Sequence, residues 1–206
     1  MMARRWLATL ALFAFAGLSC SIFAPGGGSL PAVSAGPPGS LDAAAAREAE
    51  IAAITAALSR RPTGLTAGEV AAVARTVVGE AHRHALEPSL VLAVMHVESR
   101  YYNFAVSPVG AIGLMQVMPG TGEELATKLG IHWVGPQTLF DPTTNIRLGV
   151  AYLRQLSDRY GSLPMALAAY NWGPGRIDRR LRLGSAMPEQ YPSLVLEAYA
   201  QRRGRS

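Results

Sequence analysis

The chain has 206 residues, half of them hydrophobic, and a formal charge of +5 that arginine carries almost alone. This length allows one ordinary domain with an additional segment, and the hydrophobic fraction allows a real core. A single cysteine excludes an internal disulfide, so packing alone must hold the domain together. Helix formers outnumber alternating β-branched runs, which predicts an all-α fold.

The mild positive charge favours an acidic polymer as the partner. No predicted helix carries a continuous basic stripe with interleaved aromatic residues, which argues against nucleic acid. An anionic cell wall and a membrane surface explain the charge equally well.

The first 24 residues are predicted to be an export signal. Arg4 and Arg5 form a positive start, and residues 7–18 form an apolar run of about a dozen residues. That run is shorter than the ~20 residues that a membrane-spanning helix needs. Small residues allow cleavage after Ala24 or after Ala35, and the pattern leaves both open.

Cys20 offers an alternative reading of the same segment. It lies just after the apolar run, as the acylated cysteine of a lipoprotein signal does, although Gly17 stands where leucine is usual. The sequence therefore leaves two possibilities open for the mature protein. It is either anchored to the membrane through a lipid on Cys20 or released in soluble form.

Residues 25–64 are predicted to be a tether. Residues 25–40 are rich in glycine, proline, serine and alanine and have no apolar set to bury. Residues 41–60 are alanine-rich and predicted to be helical, either loosely docked on the domain or part of the tether. The compact domain is predicted to cover residues 65–203.

Six helices are predicted within that domain. They cover residues 66–85, 88–98, 121–129, 141–160, 164–171 and 192–202. Thr66 with Glu69 and Thr121 with Glu124 have the spacing of capping boxes. Residues 99–118 are irregular, with a small β element expected between residues 106 and 118, and a turn is expected at residues 173–175.

Glu98 is the residue that the helical pattern makes unusual. It follows Val91, Val94 and Met95 at helical spacing, so it shares their apolar face. Burial and the negative end of the helix both disfavour its charged form, which predicts a raised pKa. A glutamate that stays protonated near neutral pH suits a general acid for glycosidic bond cleavage. The pattern also allows an alternative, in which the helix ends early and Glu98 is merely solvated.

Two later segments could complete a site around Glu98. The small residues 110–113 allow close approach of a ligand to the backbone, and the amide of Gln116 could bind a sugar. Tyr170 could orient Glu98 by donating a hydrogen bond, and Asn171 could hold substrate. Other acids, among them Glu80 and Asp141, are expected to be solvated or to cap helices.

The order of these motifs resembles the lytic transglycosylases of the soluble type (family 1). That family has a Glu-Ser pair, a Gly-Leu-Met-Gln loop and an Ala-Tyr-Asn segment. The counterparts in this chain are Glu98-Ser99, Gly113-Leu114-Met115-Gln116 and Ala169-Tyr170-Asn171. The resemblance covers about residues 66–199. Many relatives have a Glu-Thr pair four residues before a tyrosine, whereas here Met187 and Pro188 precede Tyr191.

The resemblance implies a goose-lysozyme-like helical fold with a substrate cleft. It also implies cleavage of the β-1,4 bond between N-acetylmuramic acid and N-acetylglucosamine of peptidoglycan without water, with Glu98 acting first as acid and then as base. The residues that would shape the cleft are Ser107, Met115, Gln116, Tyr170 and Asn171, with Met115 as a wall. No cofactor and no metal are expected, and a monomer is expected.

Two other functions remain open from the sequence. One is a lysozyme-like hydrolase on the same fold, and the other is a non-catalytic peptidoglycan-binding module of a secretion apparatus. Trp172 could stack on a sugar or simply pack. The His96-Val97-Glu98 order has the form of a zinc deaminase motif, but one cysteine is too few for that metal site.

Overall fold

The computed structural model describes the backbone of residues 38–204 and the side chains from residue 42 onward. The segment predicted as an export signal (residues 1–24), which includes Cys20, and the first part of the predicted tether lie outside the described residues. In the part that is described, no helix is both long and apolar enough to cross a membrane.

The described residues form eight α-helices and one 3₁₀ helix, which confirms the all-α prediction. The elements are α1 (Pro38–Ser59), α2 (Ala67–Arg83), α3 (Pro88–Ser99), α4 (Pro119–Leu129), the 3₁₀ helix (Pro136–Phe140), α5 (Pro142–Tyr160), α6 (Leu163–Trp172), α7 (Pro174–Arg182) and α8 (Gln190–Arg203). The expected small β element consists of two isolated antiparallel bridges, in which Ile112 pairs with Val106 and with Val117.

Helix α3 is the centre of the packing. It packs against α2 and α8, while α5 packs against α2 and α6, and α6 also contacts α8. An unbroken run of α3 from Leu90 to Met95 is buried. A helix that is apolar on all sides needs neighbours on all sides, so α3 is held between other elements up to the turn that carries Glu98.

Two helix starts follow local capping rules, and one predicted start is wrong. Thr66 and Glu69 form a complete capping box on α2, and the Asp141 side chain caps α5. The capping box predicted for Thr121 and Glu124 is absent, because α4 begins two residues earlier at Pro119. Proline suits the first position of a helix, and here it decides where α4 starts.

Helix α7 was missed by the sequence analysis, which predicted only a turn at residues 173–175. The helix has a single buried side chain, Ile177, among four arginines and one aspartate. A helix with a single buried apolar residue shows almost no hydrophobic periodicity in the sequence. Proline at the first helical position again marks the start, at Pro174.

Helix α1 packs on the domain. Of the two alternatives for residues 41–60, a docked helix or a part of the tether, the structure therefore has the docked helix. Ile51, Ile54 and Leu58 are buried in the same hydrophobic core as α2 and α3, and α1 packs along α2. The second half of the segment predicted as part of the tether therefore contributes to the core.

We predict that Gly149→Ala destabilises the fold, because α5 has no room for a methyl group there. A Cβ at residue 149 would lie 2.6 Å from Sδ and 2.7 Å from Cβ of Met115. Overpacking of this kind costs ~1–3 kcal/mol of unfolding free energy, which urea denaturation measures. The matched control is Gly68→Ala in α2, where a Cβ meets nothing within 4 Å and stability should stay equal or rise. Equal stability of the two variants would contradict the close packing of Met115 on α5.

Candidate active site

Glu98 is the penultimate residue of α3. Val91, Val94 and Met95 behind it are fully buried, and its own side chain is half-buried. Burial raises the pKa of Glu98 from its ordinary value of 4.5 to about 7, because desolvation disfavours the carboxylate form. The predicted direction of the shift is confirmed, and near pH 7 the group can both give and accept a proton.

Tyr191 is the hydrogen-bond partner of Glu98. Its hydroxyl, at the start of α8, donates to Oε1 of Glu98 at 2.6 Å. Burial is also the main reason why the pKa of Tyr191 lies well above its ordinary value, so the hydroxyl stays protonated and can donate. The bond stabilises the carboxylate and opposes part of the effect of burial on the pKa of Glu98.

The prediction that Tyr170 orients Glu98 is wrong. The Tyr170 hydroxyl donates to the backbone carbonyl of Met115 at 2.8 Å, so it supports the loop that faces the glutamate. The difference follows from packing, because α8 lies directly on α3 whereas α6 meets the loop. The family resemblance already singled out Tyr191, and helical order alone could not assign its contact.

The loop between α3 and α4 is held in place by hydrogen bonds to Asn145, a fully buried residue of α5. Its Nδ2 donates to the carbonyls of Ile112 and Leu139, each at 2.9 Å, and its Oδ1 accepts from the N–H of Met115 at 2.8 Å. The sequence analysis assigned Asn145 no role. Its only signal was its place in a segment that resembles the family, because an asparagine on a helix is ordinarily solvated.

Ser99 and Gly113 complete this support. The Ser99 hydroxyl donates to the carbonyl of Leu114 at 2.8 Å, which ties the end of α3 to the loop beside Glu98. Gly113 has φ of +82° and passes so close to Asn145 and Leu139 that a Cβ would lie 2.7 Å from the Leu139 carbonyl oxygen. The position therefore requires glycine for both its conformation and its space.

Three of the predicted substrate residues lie in this loop and have different surroundings. Gln116 has φ of +47°, and its Nε2 donates to the carbonyls of Ala105 and Gly113 at 3.0 Å each, which leaves Oε1 for a ligand. The Ser107 hydroxyl accepts from the N–H of Ala111 at 3.0 Å and closes a turn. Met115 is 0% exposed, so its side chain belongs to the core and does not form the expected wall.

Two surface depressions share Asn171 and Trp172 in their linings, and one of them is also lined by Tyr191, the hydrogen-bond partner of Glu98. The first has a volume of about 420 Å³ and includes Gln116 and Tyr170 in its lining. The second has a volume of about 430 Å³ and includes Tyr191. Both include Asn171 and Trp172, so these two residues form a ridge between them. Trp172 is 40% exposed, and this exposure favours contact with a ligand over simple packing.

Glu80 differs from its expected role as a solvated residue. Its side chain is only 12% exposed, and its carboxylate lies 3.4 Å from Nε of Arg83, 3.7 Å from Nε2 of His84 and 3.9 Å from Nε of Arg147. These groups link α2 to α5 and lie apart from both depressions. Asp141 caps α5 as expected, with its Oδ1 accepting from the N–H of Thr144 at 2.7 Å.

Comparison with known proteins identifies the family of this chain. The family model described as "Transglycosylase SLT domain" matches residues 76–191, which is more than half of the chain. The chain belongs to the transglycosylase SLT domain family. A soluble lytic murein transglycosylase of Salmonella typhimurium is 40% identical over 94 residues, a stretch that covers 45% of this chain and 15% of that protein.

Two solved structures share the fold. Lytic transglycosylase Slt from Pseudomonas aeruginosa, solved as an inactive mutant with glutamine in place of a glutamate, is 36% identical with a TM-score of 0.55. The 70-kDa soluble lytic transglycosylase in complex with bulgecin A is 29% identical with a TM-score of 0.58. Each alignment covers 63% of this chain and 24% of the other, so this chain corresponds to a minor part of either protein.

We predict that Tyr191→Phe raises the pKa of Glu98 above about 7. The substitution removes a hydrogen bond to the charged form and leaves the burial in place. Carboxyl-carbon NMR titration of the two proteins measures the change directly. Tyr160→Phe is the control, because the Tyr160 hydroxyl donates to Asp178 on another part of the surface. A pKa of Glu98 that is unchanged in Tyr191→Phe would contradict the role of this bond.

We also predict that Glu98 makes stability depend on pH. The folded pKa of about 7 lies above the ordinary value of 4.5, so between these values the folded state binds more protons and stability falls as pH rises. The loss reaches about 3 kcal/mol above pH 7. Glu98→Gln removes this contribution, so the variant should be more stable than the wild type above pH 7 and equal to it below about pH 4.5.

Urea denaturation across this pH range measures the difference between the two proteins. Glu123→Gln, the same substitution at an exposed position of α4, serves as the control. A difference for Glu98→Gln that does not vary with pH would mean that Glu98 is solvated in the folded state.

Proposed function

We propose that this protein is a peptidoglycan lytic transglycosylase that uses Glu98 as its single catalytic acid and base. The observation that carries the proposal is a half-buried glutamate with a pKa of about 7 whose hydrogen-bond partner, Tyr191, lines a surface depression. A group with this pKa near neutral pH is effective in both directions of proton transfer.

In the proposed reaction Glu98 gives one proton and later takes up another. Protonated Glu98 gives its proton to the oxygen that leaves N-acetylmuramic acid, and the C1–O bond breaks. The 2-acetamido oxygen of the substrate stabilises the positive charge that develops at C1. The C6 hydroxyl of the same sugar then attacks C1 and its proton returns to Glu98. The products are a chain end with a free hydroxyl and a 1,6-anhydro end, and no water is consumed.

The surroundings of Glu98 favour this reaction over hydrolysis. Hydrolysing glycosidases generally use two carboxyl groups, about 5–5.5 Å or 6.5–9.5 Å apart. Burial and the Tyr191 hydrogen bond are the causes of the pKa shift of Glu98, with no carboxylate among them. Glu189 is the one acidic residue among those that line either depression, and it is the candidate second carboxyl group for the lysozyme-like hydrolase.

The relatives support the same assignment. The Pseudomonas aeruginosa enzyme is inactive when a glutamate is replaced by glutamine, as expected if that glutamate transfers a proton. The 70-kDa enzyme binds bulgecin A. For this chain we propose peptidoglycan glycan strands as the substrate, with Gln116, Tyr170 and Asn171 shaping the cleft.

The location follows from the same proposal. An enzyme that acts on peptidoglycan must work in the cell envelope, which accords with the export signal predicted for residues 1–24. Anchoring through a lipid on Cys20 and a monomeric state are predictions from the sequence. Neither nucleic acid nor a cofactor is needed for the proposed reaction.

We predict that Glu98→Gln abolishes the release of anhydro-muropeptides from purified peptidoglycan. Glutamine fills the same space and accepts the Tyr191 hydrogen bond, but it transfers no proton, and loss of general acid catalysis lowers rates by about 10²–10⁴-fold. Mass spectrometry identifies the products, because an anhydro end is lighter than a reducing end by one water. Reducing ends from the wild type would make the protein a hydrolase.

Two controls make this experiment decisive. Glu123→Gln on the surface of α4 should release anhydro products at the wild-type rate. Sedimentation with insoluble peptidoglycan should show that Glu98→Gln still binds the wall. A wild type that binds and releases no product of either kind would identify a non-catalytic wall-binding module.

A further inference from the structure

The two depressions beside the Asn171–Trp172 ridge carry opposite charges. Arg176, near the start of α7, is the only charged residue among those that line the 420 Å³ depression. Glu189, before the start of α8, is the only charged residue among those that line the 430 Å³ depression. A ligand that crosses the ridge therefore meets a cation on one side and an anion on the other.

The guanidinium of Arg176 has no partner within the described part of the chain. It is exposed, and it takes part in none of the hydrogen bonds or ion pairs formed there by arginine side chains. The acid nearest to it along α7 is already engaged, because Asp178 pairs with Arg159 at 2.5 Å and accepts from the Tyr160 hydroxyl at 2.8 Å. Arg176 thus keeps its full donor capacity for a ligand in the depression.

Arg180, one turn further along α7, shows the contrast. Its Nε donates to the carbonyl of Ala186 at 2.7 Å, and its guanidinium lies 5.4 Å from the centre of the Trp172 ring. Arg180 therefore holds the ridge in place, whereas Arg176 faces the space beside it. The rest of that lining is apolar, aromatic or uncharged polar, as expected for a surface that contacts a sugar.

We infer that Arg176 binds a carboxylate carried by a substituent of the glycan strand, namely a carboxylate of the peptide attached to N-acetylmuramic acid. A guanidinium offers paired donors that match a carboxylate, and such charge-assisted bonds are stronger than neutral ones. This inference rests on the proposed function and adds to it a preference for strands with anionic peptides. It assigns Arg176 to substrate recognition and leaves the proton transfer to Glu98.

The test compares glycan strands carrying peptides with free carboxylates against the same strands after conversion of those carboxylates to methylamides. Wild type should show a KM for the free-carboxylate strands about two- to fivefold lower, which is the range for one exposed ion pair. Arg176→Gln should raise that KM to the value for amidated strands with kcat unchanged. Mass-spectrometric quantification of anhydro products provides both constants.

Arg182→Gln is the matched control. Arg182 is exposed on the same helix and makes no side-chain contact with the depression, and it lies six residues further along, about 9 Å at 1.5 Å per residue. The control loses the same charge, so it should keep the preference for free carboxylates. Equal effects of Arg176→Gln and Arg182→Gln would overturn the inference and leave only a general attraction of an acidic strand to a basic protein.

A binding measurement separates this inference from the proposed function. Calorimetric titration of the Glu98→Gln protein and of the Glu98→Gln, Arg176→Gln double variant with both kinds of strand requires no turnover. A preference for free carboxylates in the first protein and its loss in the second supports the inference even if no anhydro product forms. Equal affinity of the Glu98→Gln protein for the two kinds of strand overturns it, whatever the reaction proves to be.

Discussion

Desolvation of the Glu98 carboxyl group, at the end of the buried helix α3, links the packing of this fold to its proposed chemistry. Helix α3 is buried from Leu90 to Met95, and Glu98 emerges from the core in its last turn, where residues 96–98 are half-buried. Covering α3 is what desolvates the glutamate, and α8 supplies both the cover and the Tyr191 hydroxyl that limits its cost. Stability and chemistry therefore oppose each other at this residue.

The loop opposite Glu98 solves a second problem, which is to keep an irregular backbone in one conformation. Gly113 and Gln116 both have positive φ, and for glutamine that conformation is uncommon. The strain is offset by hydrogen bonds between the backbone of the loop and the buried side chains of Asn145 and Ser99. Substrate would then meet a preformed surface, which avoids the entropy of ordering a loop upon binding.

Much of the fold could be predicted from the sequence, because long apolar periods and end signals are local properties. The helices α2, α3, α5 and α8 were found within a few residues of their bounds. Helix α7 was missed since its single buried residue leaves no period to detect, and α4 was started too late since two compatible start signals compete and the chain uses the proline. Both errors concern short helices whose position depends on tertiary packing.

The candidate site was predicted less completely, for a related reason. The helical period placed Glu98 on an apolar face and predicted the direction of its pKa shift, and the later motifs with their family resemblance were needed to favour it as the catalytic acid. The period says nothing about which distant side chain meets it, so Tyr170 was chosen where Tyr191 makes the contact. Asn145 was assigned no role, because the sequence does not distinguish a buried asparagine that hydrogen-bonds three backbone groups from a solvated one. Met115 was expected to wall the cleft because the family resemblance implies it, whereas its side chain is buried against Gly149 of α5, a tertiary contact that the motif does not specify.

Asn145 and Gly149 are one turn apart on α5, and each matches a feature of the loop. The first supplies the side chain that the backbone of residues 112–115 needs, and the second leaves the hollow that Met115 fills. The conformation of the loop therefore depends on the residues in this turn of α5, although some thirty residues separate the two along the chain. Variation in one should be tolerated mainly with compensating variation in the other, and a loop transplanted from a relative would need both α5 positions to travel with it.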